Sequence, residues 1–322
     1  MSPAVITLLL LAFAVVMFVW EKIPLAVTSM IVCLSLVLFG VLDAKDAFAG
    51  FVNSNVILFV AMFVVGGALF ETGMANNIGG IVTRFAKTER QLIVSVMVIV
   101  GLMSGVLSNT GTAAVLIPVV IGIAAKSGFA KSRLLMPLVF AAAMGGNLSL
   151  IGAPGNLIAQ SALQEMNMQF GFFEYARVGL PILVVGIIYF AFIGYKFLPN
   201  TEGDPDSVFN ETIDYSHVAD RKKILSLVIL VLTITAMIFE KQIGIKLHVI
   251  GSIGAILLVL TGVISEKEAY KAIDLKVIFL FGGTLALASA LDKTGAGALI
   301  AETVMNALGQ NASPFVLLFA IF

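Results

Sequence analysis

The chain returns again and again to uninterrupted apolar runs, and these restrict its possible folds more than any motif does. Val5 to Trp20, Pro24 to Gly40, Val56 to Leu69, Phe173 to Phe197, Ile224 to Phe239, Val249 to Ile264 and Val277 to Leu291 are apolar on every side of a helix. Their lengths are near the roughly 20 residues that a helix needs to cross about 30 Å of hydrocarbon. Spanning strands would alternate apolar and polar positions, whereas a helix satisfies its own backbone inside lipid. The balance of residues agrees: 60% are hydrophobic and 12% charged, with a mean hydropathy of +1.07, against about half and a quarter in soluble domains. The expected class is an all-α polytopic membrane protein, in the cell membrane of a bacterium or archaeon.

Smaller features close off other classes. The first run lacks a basic leader and a small-residue cleavage site before Glu21 and Lys22, so it reads as a helix rather than a secretory signal. A formal net charge of zero offers no basic stripe for nucleic acid. The single cysteine, Cys33, has no partner for an internal disulfide and is expected to pack. His217 and His248 have no companions at ligand spacing, so neither a metal centre nor a cofactor is expected.

Shifting the chain by 222 residues places "GVLDAKDAFAGF", Gly40 to Phe51, on "GVISEKEAYKAI", Gly262 to Ile273, without a gap. The match continues from "LFETG", Leu69 to Gly73, to "LDKTG", Leu291 to Gly295. The chain thus holds two copies of one unit. Residues 1–198 form the first, 199–223 a polar cytoplasmic linker, and 224–322 the start of the second. Ser108 advanced by the same shift would fall at position 330, beyond Phe322, so the second copy is expected to be C-terminally incomplete, cut within its own hairpin.

The first copy contains two polar interruptions. "SNTGTAAVLIP", Ser108 to Pro118, lies between short apolar arms in the segment 91–125, flanked by Arg84, Lys87 and Arg90 before it and Lys126, Lys131 and Arg133 after it. A hairpin that enters and returns would leave all six on one face, the cytoplasmic one by the positive-inside rule. "GLMSG", Gly101 to Gly105, is expected to let the two arms approach closely. A re-entrant tip has free amides at one half-helix and free carbonyls at the other, and such ends bind ions. Ser104, Ser108, Asn109 and Thr110 supply neutral oxygens there. Two readings are open for this segment, ion binding and simple helix capping by Thr110 with polar glue between helices.

The second interruption is "GGNLSLIGAPGNLIAQ", Gly145 to Gln160, which breaks the apolar segment 134–164 with Pro154 and several glycines. Broken helices of this kind point to a substrate site in transport proteins, with a kinked packing helix as the dull alternative.

"SNTGTAAVLIP" at a hairpin tip, together with "LIGAPGN" in a broken helix, resembles the signature of the divalent-anion/sodium symporter family of the ion transporter superfamily. In that family the first motif usually continues Ala-Thr where Gly111 and Thr112 stand here, and the second usually reads Gly-Thr-Pro-Pro-Asn where Gly152, Ala153, Pro154, Gly155 and Asn156 stand. The resemblance implies a homodimeric carrier that moves a transport domain like an elevator. It assigns Ser104, Ser108, Asn109 and a carbonyl near Gly152 to one sodium ion. Asn109 and Thr110, with Pro154 and Asn156, would meet a small anionic substrate such as a C4-dicarboxylate. A tricarboxylate, sulfate, proton coupling and anion exchange are the neighbouring possibilities.

If the hairpin does not cross, the first copy makes five crossings, and an odd number inverts the second copy relative to the first. A proton relay would need ionisable groups at membrane depth, and none lies in 91–125 or 134–164. A membrane enzyme would need a convergent acid and base or a ligand cluster. Glu71, Glu165, Glu174 and Glu240 stand singly at helix ends, so no enzyme is expected.

Overall fold

The computed structural model describes residues 1–80, 88–127, 129–199, 215 and 218–308. Arg84, Lys87, His217, most of the linker and the segment 309–322 lie outside them. The described residues form helices and no strand. In chain order these are α1 (Pro3–Trp20), α2 (Leu25–Leu38), α3 (Ala44–Phe48), α4 (Ser54–Glu71) and α5 (Met74–Gly80). There follow α6 (Glu89–Ser104), α7 (Asn109–Ser127), α8 (Lys131–Gly145), α9 (Pro154–Glu165) and α10 (Ala176–Phe192). The rest are α11 (Asp220–Ile238), α12 (Glu240–Ile243), α13 (Leu247–Leu260), α14 (Glu266–Ala272), α15 (Leu275–Lys293) and α16 (Ala296–Leu308). Short 3-10 turns occupy Ala49–Val52 and Gly194–Lys196. By length and hydropathy, Pro3–Trp20, Ala44–Glu71 and Leu275–Lys293 are each able to cross a membrane, and α2, α10 and α13 are shorter apolar helices.

Element bounds repeat with the sequence. Moving α2 along by 222 positions gives the bounds of α13. The glycines that end the paired helices match too: Gly40 and Gly262 have φ of 67° and 68°, Gly73 and Gly295 of 73° and 71°. Glycine is the residue that adopts this left-handed backbone without a steric penalty, so it stops a helix at both places. The next helix is capped in both copies, by Asp43 accepting from the N–H of Asp46 at 2.7 Å and by Ser265 in a reciprocal capping box with Glu268.

The chain divides into two compact units, residues 1–56 with 275–322 and residues 57–274. Each therefore mixes helices of both copies. In the first unit, α2 packs along α15, and a Cβ on Gly283 would stand 2.5 Å from the Ser29 carbonyl oxygen. Ser29 Oγ donates to the Phe279 carbonyl at 3.0 Å across this seam. Cys33 is buried beside it, with Sγ 3.4 Å from the Ala47 carbonyl oxygen. In the second unit the equivalent positions meet again with the copies exchanged: Gly251 of α13 faces Ala61 of α4, with 3.2 Å from a Gly251 Cβ to that of Ala61.

The second unit also holds α6 to α10. Its centre is α8, against which α6, α7 and α10 all pack. Ile93 and Met97 of α6, Leu116 of α7, and Leu134 and Leu138 of α8 are buried there. α11 is joined to the turn between α4 and α5 by a hydrogen-bonded pair of hydroxyls, Thr72 and Ser226, at 3.1 Å.

Candidate functional site

The tip at Ser108 is a turn between two helices, the second longer than the 15 residues expected of that arm. α6 ends at Ser104 and α7 begins at Asn109, giving arms of 16 and 19 residues. Ser108 is the helix cap: its Oγ accepts the N–H of Gly111 at 3.1 Å, and its carbonyl accepts the N–H of Thr112 at 2.9 Å. Capping thus belongs to Ser108, and Thr110 sits in the first turn with its side chain exposed. α8 ends at Gly145, residues 146–153 are irregular, and Pro154 opens α9 at a position whose missing N–H costs no hydrogen bond.

These interruptions meet. The N–H of Asn109 points to the Gly152 carbonyl at 3.4 Å. Asn156 holds the loop shut by donating from Nδ2 to the carbonyls of Gly146 and Ser149, at 2.9 and 2.8 Å. Ser149 Oγ accepts the N–H of Ile151 at 3.2 Å. Tyr175 Oη donates to the Asn156 carbonyl at 2.9 Å, and the N–H of Leu150 donates to Phe172. Ser104, fully buried, donates from Oγ to the Ala142 carbonyl at 2.6 Å. The irregular backbone is therefore satisfied by side-chain amides and hydroxyls, which is the condition for leaving a helix at membrane depth.

The small residues act differently from the sequence expectation. Gly145 lets α8 onto α6, Gly101 lets α10 onto α6, and Gly105 admits the loop after α8: a Cβ on Gly145 would lie 2.2 Å from the Gly101 carbonyl oxygen, one on Gly101 2.7 Å from Leu183, and one on Gly105 2.8 Å from Leu148. The arms touch each other as well as α8, but Gly101 and Gly105 face α10 and the end of α8 with its loop rather than the opposite arm.

This packing gathers helix ends of both polarities. The N-termini of α7 and α9 lie at Asn109 and beside Gly152, and the C-termini of α6 and α8 lie at Ser104 and Gly145, which touch Ala142 and Gly101, each one turn before the end of the other helix. Amide ends favour an anion and carbonyl ends a cation, by about 0.3–1 kcal/mol each when exposed and more when partly buried. Asn109 stands between them, with its amide nitrogen 3.2 Å from where a Gly146 Cβ would be.

One oxygen had no signal in the residue pattern. Thr112 Oγ1 is buried and has no hydrogen-bond partner among the described residues, a condition it shares with Thr28 of the first unit. Thr72, Thr233, Thr284 and Thr294 all donate to the carbonyl one turn back, at 2.7 to 2.8 Å. Thr112 does not, although it follows Asn109 by one turn on the buried stripe that continues through Leu116 and Val120. An unpaired buried hydroxyl costs about 1–3 kcal/mol, so a cation near the tip would find a donor oxygen already desolvated.

The other side of the tip opens on a cavity of about 230 Å³ lined by Ser108, Thr110 and Gly111, Phe70 and Glu71 of α4, and Asp274. Neither Pro154 nor Asn156 lines it, so Thr110 faces a different wall from the broken helix. Glu71 reaches Lys271 at 3.9 Å. Read singly, Glu71 looked like an interfacial acid, because the contact with the tip comes from helices distant in sequence.

The family described as citrate transporter matches residues 15–322. The chain is similar to the uncharacterized transporter YfbS of Escherichia coli K12, with 33% identity over 68% of this chain and 37% of that protein. An uncharacterized transporter of Haemophilus influenzae is 27% identical over 98% of this chain and 71% of its own length. The sodium-dependent dicarboxylate transporter SdcS of Staphylococcus saprophyticus is 24% identical over 95% of this chain and 66% of that protein. The chain spans little more than a third of the length of the first of these.

Proposed function

The chain belongs to the citrate transporter family of the ion transporter superfamily, and from that premise we propose that the whole protein is a sodium-coupled carrier of a small divalent anion. It is a multi-pass membrane transporter and not an enzyme. The observation that carries the proposal is the meeting of Asn109 with Gly152 at 3.4 Å, where helix ends of both polarities lie among neutral oxygens. Ser104, Ser108, Asn109 and the Gly152 carbonyl form the cation side, and the buried Thr112 hydroxyl fits it. Asn109, with Pro154 and Asn156 at the start of α9, forms the anion side, and Thr110 would meet the substrate from the other wall of the tip. A C4-dicarboxylate suits compact amide ends, and SdcS, named for sodium-dependent dicarboxylate transport, supports this class. The protein works as a homodimer with inverted repeats, and the hairpin and broken helix move together to give alternating access.

Succinate uptake by the full-length protein in proteoliposomes should rise with sodium, and Asn109→Ala should remove most of it while the protein stays folded. Uptake that ignores both sodium and this substitution would sink the assignment.

Proton coupling is the second reading, favoured by Glu71 and Asp274 in the cavity that Thr110 lines. It requires uptake to follow an imposed pH gradient without sodium and to stop in Glu71→Gln.

A further inference from the structure

α8 and α10 leave between them an open apolar groove of about 620 Å³, with walls that include Met136, Phe140 and Met144 on one side and Ile182 and Val185 on the other. At one end it reaches the turn Gly194–Lys196 and Phe197. Charge collects at that end. The Arg90 guanidinium lies 4.8 Å from the centre of the Tyr195 ring and 5.8 Å from that of Phe192, and it donates to Tyr195 Oη at 2.9 Å. The Lys196 ammonium lies 6.0 Å from the same Tyr195 ring.

The neighbouring ions are already committed. Glu89 pairs with Arg133, and Arg133 donates to the Tyr195 carbonyl at 2.9 Å, which fixes the turn. Arg90 and Lys196 are exposed and have no carboxylate partner among the described residues. Stacking holds the Arg90 plane while only one of its five donors is used on Tyr195, so a bidentate face stays free for a phosphate. Two exposed cations not paired with a carboxylate among the described residues, at the end of an apolar groove, match an anionic head with a hydrocarbon tail. They would repel a choline head. In a chain that lies in a bilayer, the molecule with that shape is a lipid, and basic pockets between helices on the cytoplasmic side bind such headgroups.

We propose that this groove holds one anionic glycerophospholipid, with its phosphate on Arg90 and Lys196 and an acyl chain along α8 and α10. The assignment does not depend on sodium coupling.

The test is lipid retention by the full-length protein. After equilibration with equal dioleoyl phosphatidylglycerol and phosphatidylcholine, native mass spectrometry should find one phosphatidylglycerol retained with at least a fivefold preference. The double variant Arg90→Gln, Lys196→Gln should lose the preference, and Lys241→Gln, Lys246→Gln, which removes the same charge elsewhere, should keep it. Should the double variant not fold, Lys196→Gln alone, at an exposed turn, should lower the preference at least twofold. Preference unchanged in the Arg90 and Lys196 variants, or lost equally in the control pair, would overturn the site. Displacement of the bound lipid by soluble glycerol phosphate at equal concentration would also overturn it, because the groove would then contribute nothing.

Discussion

Glycine brings two backbones together both at the α2–α15 seam and at the broken helix, but the two places use that closeness differently. At the seam, Gly283 presses on the Ser29 carbonyl between two regular helices, and each backbone group keeps its own helical partner. At the broken helix, Gly145 presses on the Gly101 carbonyl where the helices end, and the backbone beyond is held by Asn156, Ser149 and Asn109. The same device gives rigid packing in one case. In the other it positions groups that a ligand is able to take over.

The comparison is put under most strain by adding one methyl at each place. Gly145→Ala and Gly283→Ala each force a Cβ into a backbone oxygen, at 2.2 and 2.5 Å, and overpacking of this kind costs about 1–3 kcal/mol. Thermal unfolding should drop in both. Only Gly145→Ala should also raise the sodium concentration for half-maximal uptake, since it displaces the end of α8. An equal change in Gly283→Ala would erase the distinction.

Next comes the loop latch. Asn156→Ala leaves the carbonyls of Gly146 and Ser149 without their donor, at a cost of about 1–3 kcal/mol for each group left unsatisfied in the interior. Uptake should fall at least tenfold while the α2–α15 seam, followed by hydrogen exchange, stays protected. Matching loss of protection at the seam would show the two regions to be one cooperative body.

Thr112→Val sharpens the contrast from the other side. Replacing an unpartnered buried hydroxyl by a methyl should leave stability without sodium unchanged or higher by about 1 kcal/mol, while weakening sodium activation several-fold. Lower stability without sodium would mean that the hydroxyl has a structural partner.

The smallest effect concerns the repeated cap. Ser265→Ala should cost about 1 kcal/mol, as cap removal usually does. Glu268, its partner, is held below the usual carboxylate range, first by the Ser265 backbone N–H and then by its hydroxyl. A lowered folded pKa stabilises above the unfolded carboxylate value, about 4.3, and the contribution is lost as pH falls through the folded value. The difference in unfolding temperature between wild type and Ser265→Ala should therefore shrink below pH 4.3, and a constant difference would count against the box.

Much of this was readable in the residues. Apolar runs located the helices, and "SNTGT" and "LIGAPGN" located both interruptions, because hydropathy and helix breaking are local properties. The repeat was readable as well, down to the paired glycines at 40 and 262. What stayed hidden depends on tertiary direction. Nothing local says that Gly101 faces Leu183 of α10 rather than the opposite arm, that Thr110 looks toward Glu71, or that Thr112, like Thr28, departs from the hydrogen bond that Thr72, Thr233, Thr284 and Thr294 make.

The crossed pairing of the two copies has a consequence for biogenesis. The Ser29 to Phe279 hydrogen bond joins positions 250 apart, so α2 emerges from the ribosome long before its partner exists. At about 5–20 residues per second, that wait is roughly 12–50 s. During it the small-residue face of α2 is open to the insertion machinery, to lipid and to the α2 of other nascent chains. Assembly of this unit is thus a late, post-insertion event, and its most vulnerable moment comes before α15 arrives.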